Sequence, residues 1–425
     1  MAEAPGPVSR RYMGYALGIC FCANFLNYLD RFIISALLPE IKKDLQMGDD
    51  LAGALITAFT LGYMLAAPIV GVLSDRYSRP RLFAACILIW SGATLLTGLT
   101  RSPGEMLFVR VFIGVGEAGC LAIGPSLISD VFPPRQRGRA MSLFFLGLPL
   151  GSAAGYLAGG QFEGPMAWRD AFIYAGAAGL PLAILLFFLR DAPRGLHETE
   201  GDEGLRIVGF RPYLGLLKIR TLLLIILAQA FAAFAIVPIV HFGVDFFQTI
   251  RKWDKEDVTL MVAIATFAGV GGNLLSGFIG DKLQRRLPGI YALIAAIGFL
   301  GGLPFMVLAL NAGSVAAATP MLSLTMFCYF ACMPAVNAQI ASVTLPTQRS
   351  MAFALTVFIL HLLGDTISPP LFGIISKATS QETAFTYLPY ILVASGVLSF
   401  MASRSAPRDA VRMHEETRSL PLVTP

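Results

Sequence analysis

The chain has 425 residues, 56% of them hydrophobic and only 14% charged, with a mean hydropathy of +0.68. A soluble domain carries about 25% charged residues, so this composition excludes one. The net charge of +5 follows from a basic surplus on one side of a membrane and implies no nucleic-acid partner. Twelve apolar stretches reach the ~20 residues that a helix needs to cross hydrocarbon. In chain order they are 13–38, 51–74, 80–100, 104–131, 138–160, 168–190, 215–247, 257–281, 288–310, 318–345, 350–376 and 384–403. Continuous helices are expected because lipid offers no partner for an open backbone group.

The polar stretch 191–212, with Pro193, Gly195, Gly201 and Gly204, divides six spans from six. The expected organisation is a tail (1–12), a six-helix bundle (13–190), the linker (191–212), a second six-helix bundle (213–403) and a poorly ordered tail (404–425). With the N-terminus inside, 22 of the 32 Lys and Arg fall on the cytoplasmic side and 8 outside. The positive-inside rule then puts both termini in the cytoplasm, in the inner membrane if the source is bacterial. All six cysteines lie inside spans, as packing residues with no disulfide or metal pattern.

Two motifs are decoys. Arg10-Arg11 has the look of a twin-arginine export signal, but no cleavage site follows, and an anchor pair is the better reading. Gly114-Val115-Gly116-Glu117-Ala118-Gly119 is a literal G-x-G-x-x-G, yet it is embedded in an apolar run and lacks the acid about 20 positions on that a dinucleotide site needs.

One motif occurs twice: Gly71, Ser74, Asp75, Arg76, Arg79, Pro80, Arg81, and then Gly277, Gly280, Asp281, Lys282, Arg285, Arg286. Asp281 lies 206 positions after Asp75, about half the chain, so one folding unit is used twice. A duplicated, almost wholly apolar unit reads as a transporter with two pseudo-equivalent halves. The motif resembles the loop signature G-x-x-x-D-R-x-G-R-R of the major facilitator superfamily. The resemblance implies an all-α membrane protein of twelve transmembrane helices in two pseudo-symmetric six-helix bundles. The repeat loops are expected to act as cytoplasmic latches: Asp75, Arg76, Arg79, Arg137 and Arg139, mirrored by Asp281 and Lys282.

Charged groups inside spans cost about 2.5–3.5 kcal/mol or more at the bilayer centre, so they default to functional hypotheses. The first span holds Asn24, Asn27, Tyr28, Asp30 and Arg31, and the fourth holds Arg110 and Glu117. Seven residues put Arg110 and Glu117 on one face, about 10 Å apart along the axis. Depth counting brings Asp30 level with Arg110, predicting an Asp30–Arg110 contact with Arg31 facing elsewhere in the cavity. Glu117, near the midplane, is the candidate for a carboxylate whose proton occupancy changes during transport. The alternative is a static network tying spans one and four together.

Asn27-Tyr28-Leu29-Asp30-Arg31, Arg110-x-x-x-Gly114-x-Gly116-Glu117-Ala118, Trp168-Arg169-x-Ala171-Phe172 and Pro125 to Pro133 resemble the spinster family within the major facilitators. That resemblance implies proton-coupled movement of a lysophospholipid or sphingolipid phosphate, with Asp30, Arg31, Arg110, Glu117, Asn27 and Tyr28 forming the substrate and proton cavity. Anion:cation symporters of the same superfamily also carry N-Y-x-D-R and R-x-x-x-G-x-G-E, and move small organic acids. Either substrate offers an anion to an arginine fork.

In the second half, His361 and Asp365 share a helical face and form a possible cavity pair, while His241 and Asp245 are expected in the outer interfacial region. Phe231, Phe234, Phe242, Phe246, Phe247, Phe327 and Phe330 offer an apolar wall or plain packing. Gly147, Gly151, Gly155 and Gly159 form a four-residue ladder, and Gly269 and Gly277 with Ala265 form another. Small-residue stripes let helices approach closely, and these are assigned to the packing between the two bundles. No metalloprotease, hydrolase or phosphate-loop motif is present, which argues against an enzyme or an ATP-driven pump. No cofactor or metal is expected. The partners are the bilayer, an amphipathic anionic substrate and protons, and the protein is expected to act as a monomer.

Overall fold

The computed structural model describes residues 9–162, 164, 166–191, 215–284, 287, 289–345 and 348–419. The side chains of Asp75, Pro134, Arg135, Arg137, Gly138, Asp281, Arg349, Ser350 and 413–419 lie outside that description. The described residues form helices and short turns, without a strand, and twelve helices are long and apolar enough to cross a membrane. Most of the expected linker falls outside the described residues.

The first half contains α1 (Arg10–Asp44), α2 (Asp49–Arg76), α3 (Arg79–Thr97), α4 (Pro103–Val131), α5 (Pro134–Phe145), α6 (Gly147–Gly160) and α7 (Ala167–Phe187). After the linker come α8 (Arg220–Thr249), α9 (Lys255–Leu283), α10 (Ile290–Leu310), α11 (Val315–Ser342), α12 (Arg349–Leu360), a π-helical turn (His361–Asp365), α13 (Ser368–Ala378), α14 (Gln381–Tyr387) and α15 (Ile391–Ser419). The chain resolves into two compact units. The first is Met1–Asp202 together with His241–Ala263 and Pro369–Lys377; the second is Glu203–Val240, Ile264–Ser368 and Ala378–Pro425.

Helix starts follow their capping residues. Ser9 accepts from Tyr12 N at 3.2 Å and Ser102 accepts from Glu105 N at 3.3 Å. Each hydroxyl satisfies one of the N–H groups that a helix start leaves open. Span five is two helices because Pro149 has no N–H for the Phe145 carbonyl, and its ring crowds the preceding turn. Asn24 of α1 steadies the break by donating to Phe144 O at 2.8 Å.

The first unit is built around glycine contacts. A Cβ on Gly114 would strike Phe59 O of α2, one on Gly116 would sit 2.6 Å from Trp90 N of α3, and one on Gly119 would sit 2.6 Å from Cys86 Sγ. The G-x-G-x-x-G is thus the surface that seats α4 between α2 and α3. The core beneath is Phe83, Trp90, Ile123, Phe144, Leu182 and Leu186, all buried.

The glycine ladder packs within its own half, not between the bundles. Gly147 meets Asn24 and Phe25, Gly151 meets Phe25 O, Gly155 meets Leu29 O, and Gly159 meets Ala36, all on α1. Gly269 rests on Phe330 within the second unit, and Gly277 has nothing within 4 Å. A small-residue stripe specifies a close approach without specifying the neighbour, so the assignment to the inter-bundle interface is corrected.

The tail expectation also changes. Instead of ending near 403, α15 runs to Ser419. Its Asp409 accepts from Thr221 N at 2.9 Å and its Ser405 bonds the Thr221 hydroxyl at 2.7 Å, so this helix caps the start of α8. Asp409→Ala is expected to cost about 0.5–2 kcal/mol, the usual loss on removing a cap. Thermal unfolding in detergent measures it, and an unchanged midpoint would mean that the capping contact contributes nothing.

Candidate functional site

Four ionisable side chains meet inside the first unit, on α1 and α4. Arg31 donates from Nε at 3.1 Å and from Nη2 at 2.8 Å to a single oxygen, Glu117 Oε2. Glu117 is fully buried, while the Arg31 side chain keeps 19% of its surface open. Asp30 and Arg110 are buried beside them, and Asp30 Oδ2 accepts from Thr94 Oγ1 of α3 at 3.5 Å. Two cations and two carboxylates make the cluster formally neutral.

The expectation that Arg31 faces elsewhere is corrected: Arg31 is the arginine that holds Glu117, while Asp30 and Arg110 act on each other electrostatically without a direct ion pair among the described residues. Depth counting placed the residues at compatible levels, but neighbours on α1 diverge by about 100° around the axis, and only the packing decides which one turns to α4.

Three aromatic rings surround the Arg31 guanidinium, with Tyr28 at 5.1 Å, Phe59 at 4.8 Å and Tyr63 at 5.4 Å from Cζ to ring centroid. Each ring face attracts the cation, by about 0.5–2 kcal/mol depending on desolvation. The collar therefore holds Arg31 in place even when a carboxylate does not. Four buried atoms of the cluster make no hydrogen bond: Asn27 Nδ2, Asp30 Oδ1, Arg110 Nε and Glu117 Oε1. Buried polar atoms are nearly always satisfied, so four exceptions at one place set this cluster apart from the surrounding core.

In the second unit, His361 Nδ1 lies 2.6 Å from Asp365 Oδ2, across a π-helical turn in which Thr366 N donates to His361 O at 2.9 Å. Both side chains are about one-fifth exposed. Such single-turn bulges inside α-helices occur frequently at functional sites.

His241 and Asp245 pack against the polar end of α1. Asp245 is fully buried, with Lys42 Nζ at 2.6 Å, and Lys42 also meets Asp49 at 2.5 Å. His241 Nδ1 lies 2.8 Å from Ser35 Oγ, and its ring stacks on Phe32 at 6.2 Å. Lys255 pairs with Glu40 at 2.8 Å. Lys42, Glu40 and Asp49 were missed because Pro39 reads as the end of a span, whereas α1 continues through it to Asp44. The signal that remained legible is the i, i+4 spacing of His241 and Asp245, which gives α8 one polar face.

Of the latch residues, Arg79 is buried and works within the first unit. It contacts Asp130 of α4 through Nη1, Ser126 Oγ at 3.2 Å and Asp191 Oδ1 at 3.0 Å, and its backbone N donates to Asp191 Oδ2 at 2.9 Å. That arrangement clamps α3 to α4 and to the end of α7, which corrects its assignment as a latch. Arg76, Arg139 and Lys282 are exposed, and the side chains of Asp75, Arg137 and Asp281 lie outside the described residues. Arg169 of the Trp168-Arg169 pair donates to Asp44 at 2.8 Å and to Gly98 O at 3.2 Å, so this motif ties the start of α7 to the ends of α1 and α3. Among the wall candidates, Phe242, Phe246 and Phe247 are buried core, while Phe327 and Phe330 pack on Gly272 and Gly269.

Residues 20–364 match the Major Facilitator Superfamily. The chain is 32% identical to Protein spinster of Drosophila melanogaster over 385 residues, covering 86% of this chain but only 62% of the fly protein's length. It is 32% identical to Protein spinster homolog 1 of Homo sapiens over 393 residues, covering 87% and 74% of the two chains. A crystal structure of a bacterial homologue of the human lysosomal transporter Spinster, inward-facing and unoccupied, superposes with a TM-score of 0.87 at 23% identity, over 94% of this chain and 99% of the other. A D-xylose-proton symporter superposes with a TM-score of 0.73 at 17% identity, over 94% and 99%. At these identities the two structures speak to the fold alone, which is that of the major facilitators.

Proposed function

Since the chain belongs to the Major Facilitator Superfamily and, within it, to the Spinster family, we propose that it is a proton-coupled transporter of an amphipathic anionic lipid, a lysophospholipid or sphingolipid phosphate. It works by alternating access, as a monomer without cofactor, with both termini in the cytoplasm. The observation that carries this reading is the Arg31–Glu117 pair in the first unit, with Glu117 fully buried, its Oε1 without a hydrogen bond, and Arg31 partly open.

One oxygen of Glu117 takes both Arg31 contacts. A proton placed on Glu117 removes the charge that holds Arg31, and the guanidinium fork becomes available to a phosphate or carboxylate. The aromatic collar keeps the freed arginine from drifting. Proton and anion therefore load in the same state, since the carboxylate and the substrate compete for one cation. Arg110 and Asp30 balance each other nearby, so the cluster accepts one anion and one proton without net change in charge. A small organic or sugar acid satisfies the same fork and is the alternative substrate.

The test is flux into liposomes with an imposed pH gradient, measured in parallel for a lysophosphatidate, a sphingosine-type phosphate and a hexuronate. Gradient-driven lipid movement that Glu117→Gln abolishes is the expected result. Movement of the hexuronate alone would replace the lipid reading with the small-acid one. Absence of any gradient dependence would overturn proton coupling.

A further inference from the structure

We infer that His241 is a proton relay between the outer surface and Glu117, an inference that rests on the proton-coupled reading above. One side of α1 carries Arg31, Ser35 and Lys42, which at 3.6 residues per turn fall within about 40° of arc. Each is engaged by a different partner: Arg31 by Glu117 of α4, Ser35 by His241 of α8 at 2.8 Å, and Lys42 by Asp245 of α8 at 2.6 Å. His241 and Asp245, one turn apart, present their shared face to that side of α1. All of these residues belong to the first unit. The result is a line of polar groups along one side of α1, from the fully buried Glu117 on Arg31, one turn on to Ser35 with His241, and then to the Asp49–Lys42–Asp245 cluster near the end of α1.

Within that line His241 is the group suited to carry a proton. An imidazole both donates and accepts near neutral pH, whereas Arg31 keeps its charge and Ser35 can only pass a proton along. The titratable and charged groups around it are Tyr156 of α6, which shares the Ser35 hydroxyl, Asp245 one turn along α8, and Lys42 of α1 beyond. Phe32 supplies an apolar face on which the ring stacks at an interplanar angle of 10°. Pro39 adds to the route, since it has no N–H for the carbonyl of Ser35 four residues earlier and leaves an acceptor beside the relay.

The passage balances as follows. A proton arrives at imidazole Nε2 while the one on Nδ1 moves to Ser35 Oγ, and the serine releases its own proton towards Glu117 Oε1. The ring ends neutral in its other tautomer, the serine is unchanged, and the carboxylate is protonated; rotation of the ring resets the relay. The rise from Ser35 to Arg31 is about 6 Å, one turn of helix. Glu117 Oε1, buried and unpartnered, is the terminal acceptor.

The experiment uses the full chain in liposomes with a fluorescent lysophosphatidate and two assays in the same vesicles. Uptake driven by a pH gradient requires proton delivery, while exchange between equal internal and external lipid at equal pH does not. In His241→Asn, gradient-driven uptake is expected to fall about a hundredfold or more, the range for losing a proton-transfer group, with exchange retained. Ser35→Ala is expected to behave likewise and Ser35→Thr to restore uptake, because the threonine hydroxyl replaces the missing link. Uptake in His241→Asn equal to the parent protein, or uptake and exchange falling together, would overturn the relay and leave proton coupling through Glu117 standing. Loss of gradient dependence in the unmodified protein would remove both.

Discussion

Arg31→Met is expected to destabilise the protein by about 3–5 kcal/mol, because it leaves the Glu117 carboxylate fully buried without its cation. Glu117→Gln removes the other charge but costs less, since Arg31 retains partial exposure and three aromatic faces. The double variant Arg31→Met with Glu117→Gln is expected to recover most of the loss, as neither partner then holds an uncompensated charge. Unfolding midpoints of the three variants in one detergent give the coupling between the positions. A double variant as unstable as Arg31→Met would mean that the pair is not an energetic unit. Transport is expected to be lost in all three, so stability and activity separate in the double variant: it folds and does not carry.

The second large effect is steric. Gly116→Ala puts a Cβ at 2.6 Å from Trp90 N and 2.7 Å from Cys86 O, both backbone atoms of α3. Helix backbone at a packed crossing cannot yield as a side-chain end can, so α4 must move away from α3, at a cost of about 1–3 kcal/mol or more. Trp90 is fully buried at that crossing, and any movement opens space around it. Gly18→Ala is the matched control: nothing lies within 4 Å of its added carbon, and alanine in a helix is favoured over glycine by about 0.5–1 kcal/mol. Gly116→Ala is expected to lose folded yield on size-exclusion chromatography while Gly18→Ala keeps it or gains. Equal yields would show that the α3–α4 crossing accommodates a methyl group.

How much of this was legible in the sequence differs from feature to feature. The spans were legible because lipid forces every backbone group into a helix, which converts apolar length directly into structure. The membership of the charged cluster was legible because an intramembrane charge is too costly to be incidental. Its pairing was not, since Asp30 and Arg31 are adjacent and the rotation of α1 decides which one turns to α4. The glycine ladder announced a close contact but not its partner: α1 fills the groove. The polar ends of α1 and α15 were read as loop and tail because hydropathy stops where lipid stops, while the helices do not. Lys42 and Asp409 lie in those extensions, so their contacts became visible only with the fold.

The continuation of α15 past the apolar span has a practical consequence. From Arg404 to Ser419 the helix advances about 24 Å, and Asp409 and Ser405 fasten its root to Thr221. A helix that runs on past its apolar stretch and is braced at its base can be extended by grafting another helix in phase, giving the protein an external handle. Cutting the chain back to Arg404 removes the brace along with the extension. The rational place to truncate or to splice is therefore beyond Arg412, where the brace is kept.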